Sequence, residues 1–355
     1  MTMRAFPRIV QIGSRAVGEG QPCYVIAEAG VNHNGDLGLA RKLVEAAAEA
    51  GADAVKFQTF RAAALASTQA EKAVYQKAAT GAGETQRAML ERLELPDEAF
   101  RELKAHAERC GITFLSTPFD TESARLLIEL GVSAFKVSSG DLATHPLLRQ
   151  LAETGKGILL STGMAYLGEV EEALAAIRDA GPSPVILLHC VSGYPAEPAA
   201  ANLRAMETMA RAFAVPVGFS DHTLGTNVAM AAVALGACVV EKHVTVDRGL
   251  PGPDHAASLE PAEFRAMVRG IRNVEAALGD GWKMPQPGEA DARAVARRSL
   301  VVVRPVAAGA VLTAADLAIL RPGTGLQPRL LDLVLGRRTR RDISVGTLLA
   351  WSDLE

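Results

Sequence analysis

The chain has 355 residues, 49% of them hydrophobic and 22% charged, which is enough apolar material for a large core and more than one small domain requires. Its 37 basic and 40 acidic side chains leave a net charge of −3, so no overall field draws nucleic acid or an anionic membrane to it. The start, Met1 to Arg8, holds no apolar stretch of signal-peptide length, Val228 to Ala234 is too short to cross a bilayer, and Cys23, Cys110, Cys190 and Cys238 form no CxxC pair; a soluble cytoplasmic protein with reduced thiols is expected.

In chain order, the first apolar run of strand length is Cys23 to Ala27, followed by a turn at Gly30-Val31-Asn32-His33-Asn34-Gly35 and a helical period from Leu37 to Ala50. The turn leaves His33 either shaping the loop or touching a substrate. A second strand, Ala54 to Phe57, leads into Arg61 to Leu95, a segment too long for an ordinary loop, with a helical pattern around Gln86 to Leu93. Insertions of that length are usually lids over a site.

Helix Asp97 to Cys110 and strand Ile112 to Leu115 come next, then helix Thr121 to Leu130 and strand Ala134 to Val137. Strand Gly157 to Leu160, helix Glu169 to Ala180, strands Val185 to His189 and Val215 to Phe219, helix Asn227 to Leu235 and strand Cys238 to Val240 complete the series. Gly51, Gly111, Gly131, Gly181 and Gly236 follow helices, where a left-handed cap favours the residue without a Cβ. Eight strands so punctuated predict an α/β fold, a (β/α)8 or TIM barrel, over an open sheet.

The texture changes after Leu278. The barrel is expected over residues 1–280, a linker over 281–297, and a small β-rich domain over 298–355, opening with a strand from Ser299 to Arg304. Its core is marginal at that size, so packing on a partner surface is expected. The basic cluster Arg337-Arg338-Thr339-Arg340-Arg341 reads as a solvated face.

A barrel of this kind does its chemistry at the C-terminal ends of its strands. Those ends carry Glu28; Lys56 and Gln58; Ser116 and Thr117; Lys136, Ser138, Ser139 and Asp141; Ser161 and Thr162; His189, Ser192 and Tyr194; Ser220, Asp221 and His222; and Glu241 and His243. Loops are polar in general, but Lys56 with Gln58, Ser220 with His222 and Glu241 with His243 are i, i+2 pairs, which point the same way in an extended strand. His222 and His243, on neighbouring strands, make half of a divalent metal site or a hydrogen-bonded polar rim. Lys56 and Lys136, with Thr117, Ser139, Ser161 and Ser220, suit a ligand carrying phosphate and carboxylate. A desolvated lysine at a strand end also suits Schiff-base chemistry, which would leave the histidine pair without a task. Asp254, in the rigid Pro251-Gly252-Pro253 turn, is aimed at the mouth.

"IAEAGVNHNGD", "GADAVKFQTF", "FLSTPFD", "FKVSSGD", "ILLSTGM", "GFSDHTLG", "EKHVTVDRGLPGPDHAASLEP" and "LRPGTG" follow one another in an order that resembles the sialic acid synthase family, N-acetylneuraminate and legionaminate synthases included, from about Tyr24 to the end. The resemblance implies a barrel followed by an antifreeze-like SAF (β-clip) domain, in a domain-swapped homodimer. It implies condensation of phosphoenolpyruvate with an N-acylated mannosamine-type aldose, with a divalent metal, typically Mn2+ (Mg2+ or Co2+ as alternatives). N-acetylmannosamine is the first expectation for the aldose and 2,4-diacetamido-2,4,6-trideoxymannose the alternative, with a Schiff-base lyase or a non-enzymatic binding role further behind. Carried over by position, the metal falls on His222 and His243, and phosphoenolpyruvate on Lys56, Thr117, Lys136, Ser139, Ser161, Ser192 and Ser220. The aldose falls on Glu28, Gln58, Asp141, Tyr194, Asp254 and, across the dimer, Arg321; Glu28 is the candidate for proton transfer and Glu241 for orienting His243. Ser192 stands where many relatives carry Asn, and Asp141 where many carry Glu.

Overall fold

The computed structural model describes residues 5–355. An antiparallel hairpin, β1 (Ile9–Ile12) and β2 (Arg15–Gly18), precedes a parallel barrel. The barrel strands are β3 (Tyr24–Gly30), β4 (Ala54–Thr59), β5 (Thr113–Pro118), β6 (Ala134–Val137), β7 (Gly157–Ser161), β8 (Val185–Cys190), β9 (Val217–Asp221) and β10 (Val239–His243). They are laced in the order β5-β4-β3-β10-β9-β8-β7-β6, so the last strand pairs with the first, Val239 opposite Tyr24. Between β5 and β6, which lie side by side, no ladder runs, and the cylinder is nearly closed.

Side chains alternate across each strand, and the alternation divides the core in two. Val25, Ala27, Val55, Phe57, Phe135, Ile158 and Leu160 point outward, against helices such as Leu37–Glu49 and Asp97–Arg109. Tyr24, Ile26, Ala54, Leu115, Ala134, Leu159, Ile186, Leu188 and Val239 fill the interior. Two residues further along each inward row the chemistry switches: Ile26 is followed by Glu28, Ala54 by Lys56, Leu115 by Thr117, Ala134 by Lys136, Leu159 by Ser161 and Val239 by Glu241. An apolar interior thus passes directly into a polar end.

The hairpin was not foreseen from the sequence, because four-residue strands carry too short a pattern to register. Val10, Ile12 and Val17 belong to the interior cluster and close the apolar end of the barrel. Gly157 lets them in: a Cβ there would stand 2.9 Å from Val10 Cγ1.

Gly51, Gly111, Gly131 and Gly236 do have positive φ, but Gly181 is extended at φ −171°. Its place is fixed by proximity, since a Cβ would lie 2.0 Å from the carbonyl oxygen of Ala152. The strands also run further into the polar residues than hydrophobicity alone suggested. The 61–95 segment folds into three short helices, Ala62–Leu65, Val74–Thr80 and Gln86–Glu91.

A second compact unit covers Asp280–Glu355. It holds a helix, Ala290–Ala296, and an antiparallel pair, β11 (Ser299–Val302) and β12 (Leu317–Leu320), around Leu300, Val302, Val306, Leu312, Val334, Ile343, Leu349 and Leu354. Arg337 and Arg338 donate to the carbonyls of Glu355 and Gly309, and Arg341 pairs with Asp353, so the basic cluster is used within this unit. No helix among the described residues is long and apolar enough to cross a membrane.

Candidate active site

The polar ends of the strands line a cavity of about 440 Å³. It collects Glu28, Lys56, Gln58, Thr117, Lys136, Ser139, Ser161, Ser192, Tyr194, Ser220, His222, His243 and Asp254. Asp141 stands apart from that wall: it ends the turn Ser139–Asp141, where Ser138 donates to its carboxylate at 2.6 Å. A short Asp in place of Glu is held by its own turn. Arg321 lies exposed in the C-terminal unit.

At the centre is a network of four buried charges. Lys56 Nζ is 2.6 Å from Glu28 Oε2 and 3.8 Å from Glu241 Oε2, and Lys136 Nζ is 3.5 Å from Glu241 Oε1. Lys56 also donates to Thr117 Oγ1, Gln58 to Glu28 Oε1, and Ser220 Oγ to Glu241 Oε1 at 2.9 Å. Glu241 therefore bridges the two lysines and does not orient His243, whose buried Nδ1 has no partner. Burial opposes the charge on Glu241, yet Lys136 and Lys56 hold its pKa down to about 2. Burial raises Glu28 despite Lys56, and burial lowers Lys136 despite Glu241. Burial likewise opposes the charge on Lys56, but Glu241 and Glu28 together raise it.

Strand β10 shows how one short run holds so many ionisable groups. Glu241 and His243 face the cavity, whereas Lys242, on the opposite face, pairs with Asp221 at 2.7 Å and donates to the Thr223 carbonyl. Buried charge is tolerated there because each head has partners.

The two imidazoles meet at the rim, their ring centroids 5.7 Å apart. His222 Nδ1 donates to the Val191 carbonyl at 2.8 Å, which leaves Nε2 with its lone pair free. Burial lowers the pKa of both rings, which favours the neutral form that a metal ligand needs. Tyr194 lies tilted against His222, with ring centroids 4.2 Å apart, and meets His243 edge-on at 5.9 Å. The donor set fits a divalent ion held by two protein nitrogens with its other positions left for substrate oxygens or water; among the described residues no group of three or more His, Cys, Asp or Glu forms a metal cluster.

Three features escaped the sequence reading. Gly163 packs where a Cβ would meet Ser192 Oγ at 2.6 Å, Cys190 Sγ at 2.7 Å and Ser139 Oγ at 2.9 Å, so this side of the cavity tolerates no side chain there. Cys190 reaches Ser139 Oγ at 3.0 Å. Tyr75, from the 61–95 segment, stacks on Tyr194 at 4.9 Å. His33 resolves as a loop-shaping residue, its Nδ1 accepting from Gly35 N.

Asp254 is 7% exposed, in a loop tied down by Asn34 donating to the Pro251 carbonyl and Ser258 to its own. Burial first, and Glu28 second, push its pKa up from 3.8 to about 7. The unfolded chain loses this proton near pH 4 and the folded protein keeps it until about pH 7, so stability falls across that interval and is level above it. Asp254→Asn should therefore raise stability at pH 8, by about 4 kcal/mol at most, and change little at pH 4. Urea unfolding at both pH values checks this; equal effects at the two would show a solvated carboxylate.

The chain matches the NeuB family over residues 43–283 and the SAF domain over residues 297–355. It is 46% identical over 347 residues to the N,N'-diacetyllegionaminic acid synthase of Legionella pneumophila, spanning 97% of this chain and 98% of that protein. The enzyme of the same name from Campylobacter jejuni is 47% identical over 327 residues, 92% of this chain and 98% of that one. The crystal structure of the N-acetylneuraminic acid (sialic acid) synthetase from Leptospira borgpetersenii in complex with citrate is similar with a TM-score of 0.71 at 35% identity, covering 81% of this chain and 96% of that one. With its barrel, its polar strand ends and its C-terminal SAF domain accounted for together, the chain belongs to the NeuB family of sialic-acid-type (nonulosonic) acid synthases.

Proposed function

We propose that the chain condenses phosphoenolpyruvate with 2,4-diacetamido-2,4,6-trideoxymannose and water, giving N,N'-diacetyllegionaminate and phosphate. N-acetylmannosamine was the first expectation from the sequence. The legionaminic acid synthases are 46% and 47% identical to this chain against 35% for the sialic acid synthetase, which favours the trideoxy sugar. The observation that carries the reaction type is the pair of buried lysines, bridged by Glu241, in the same cavity as two imidazoles whose centroids are 5.7 Å apart.

Lys56 and Lys136 take the phosphate and carboxylate of phosphoenolpyruvate, with hydroxyls from Thr117, Ser139, Ser161, Ser192 and Ser220 around them. Ser161 Oγ is buried without a partner, as an atom reserved for a ligand would be. Glu28, Gln58, Tyr194 and Asp254 hold the open-chain aldose so that its C1 faces C3 of the enol. A divalent ion, Mn2+ in the first instance, bound by His222 and His243 would supply Lewis-acid polarisation of the aldehyde. Glu28, ionised beside Lys56, takes a proton from the water that adds at C2 and passes it to the oxygen of the former aldehyde. Collapse of the C2 adduct expels phosphate between the two lysines. In the domain-swapped homodimer that the resemblance implies, Arg321 of the partner subunit completes the aldose site.

Phosphate release with phosphoenolpyruvate, Mn2+ and either sugar tests this. Turnover should be faster with the trideoxy sugar, stop with chelator and leave no borohydride-trapped adduct. Pyruvate trapped on Lys56 or Lys136 with indifference to chelator would replace it with Schiff-base chemistry; no phosphate from any aldose would remove the enzymatic reading.

A further inference from the structure

We infer that the 61–95 segment builds an apolar subsite that reads the deoxygenated end of the aldose, with Leu65 and Leu90 as specificity-determining residues. This rests on the reaction proposed above.

The cavity has two unlike walls. Every charged group that faces it comes from the strand ends or from the loop after β10. The inserted segment supplies Leu65, Met89, Leu90 and Leu93, joined by Val31 and Phe119, together with the uncharged polar side chains of Tyr75, Gln76 and Gln86. The apolar residues among these form a hydrophobic cluster of their own around Val31, Phe60, Met89 and Leu93, separate from both barrel cores. Leu65 and Leu90 lie at its edge, half-buried and in the cavity wall. An apolar cluster left open toward a polar cavity is a surface waiting for apolar ligand atoms, since its exposed area gains when water is displaced.

The chemistry of the aldose supplies such atoms at one end. The aldehyde end must meet the histidines and lysines, which leaves the far end of the six-carbon chain for the lining that the inserted segment contributes. A C6 methyl and the methyl of a 4-acetamido group lose nothing by burial against Leu65 and Leu90, whereas a C6 hydroxyl set against those two side chains would be desolvated without a partner, and the segment lends the cavity no cation for a C6 phosphate. Apolar pockets discriminate modestly against an added hydroxyl, by up to about a hundredfold.

The test compares N-acetylmannosamine with 2-acetamido-2,6-dideoxymannose, which differ at C6 alone, as a ratio of kcat/KM in the full-length enzyme. The parent should prefer the deoxy sugar by about tenfold or more, and Leu90→Gln and Leu65→Gln should bring that ratio down by about tenfold. Partial misfolding scales both rates together and leaves the ratio unmoved, while Leu90→Met, close in volume, should keep the parent's preference. A ratio near one in the parent, or unchanged in both Gln variants, overturns the subsite while leaving the reaction standing. Faster turnover of N-acetylmannosamine 6-phosphate would overturn it as well, and phosphate release from neither of these sugars nor from 2,4-diacetamido-2,4,6-trideoxymannose would overturn the reaction and the subsite together.

Discussion

Glu241→Gln is expected to lower stability by about 3–5 kcal/mol and to abolish measurable phosphate release. The carboxylate stands between two ammonium groups, 3.8 Å from Lys56 and 3.5 Å from Lys136, in a site from which water is nearly excluded. Without its charge Lys56 keeps Glu28, at 2.6 Å, but Lys136 is left as a buried cation facing another. The direction of the pKa shifts says the same: Glu241 is held ionised well below its ordinary 4.5, so its contribution is complete above that pH and disappears as pH falls toward 2. Lys136→Met placed in the Glu241→Gln background should restore part of the loss, because it removes the stranded charge. Urea unfolding of the four proteins at pH 7 gives the coupling directly. A parent-like midpoint for Glu241→Gln would mean that the lysines are already neutral.

His222→Ala and His243→Ala should each remove high-affinity Mn2+ binding, read by calorimetric titration, and lower kcat/KM by about a thousandfold or more. The lost binding is the primary readout, since it does not depend on knowing the sugar. His106→Ala serves as the comparison: that ring lies on a helix surface beside Glu45 and Arg109, and neither metal binding nor turnover should move. Unaltered Mn2+ affinity in both rim variants would mean that the imidazole pair is a hydrogen-bonded rim and nothing more.

The barrel was legible because its signal is repeated. Eight apolar runs, each ending in polar residues and three of them in i, i+2 pairs, state the strand, its direction and its inward face at once. What could not be read was what depends on distance between remote segments. Glu241 looked like a partner for His243 because they are two residues apart in one strand, whereas the barrel's curvature carries it toward lysines from β4 and β6. Gly181 and Gly163 are indistinguishable in sequence from ordinary cap and loop glycines; only the approach of Ala152 and of Ser192 explains them. The hairpin gave no signal, since Ile9–Ile12 alternates over too few residues. The inserted segment could be recognised as foreign to the barrel, but the face it turns to the cavity is a tertiary property.

The hairpin has a consequence for the order of folding. Val10 leaves the ribosome early yet packs beside Gly157 and the interior of a cylinder whose last stave, β10, is made more than two hundred residues later. Local sequence cannot supply those contacts, so the plug and the closing ladder between Tyr24 and Val239 form late and together. Until then the apolar face of the hairpin stays uncovered, a surface open to association before the barrel closes.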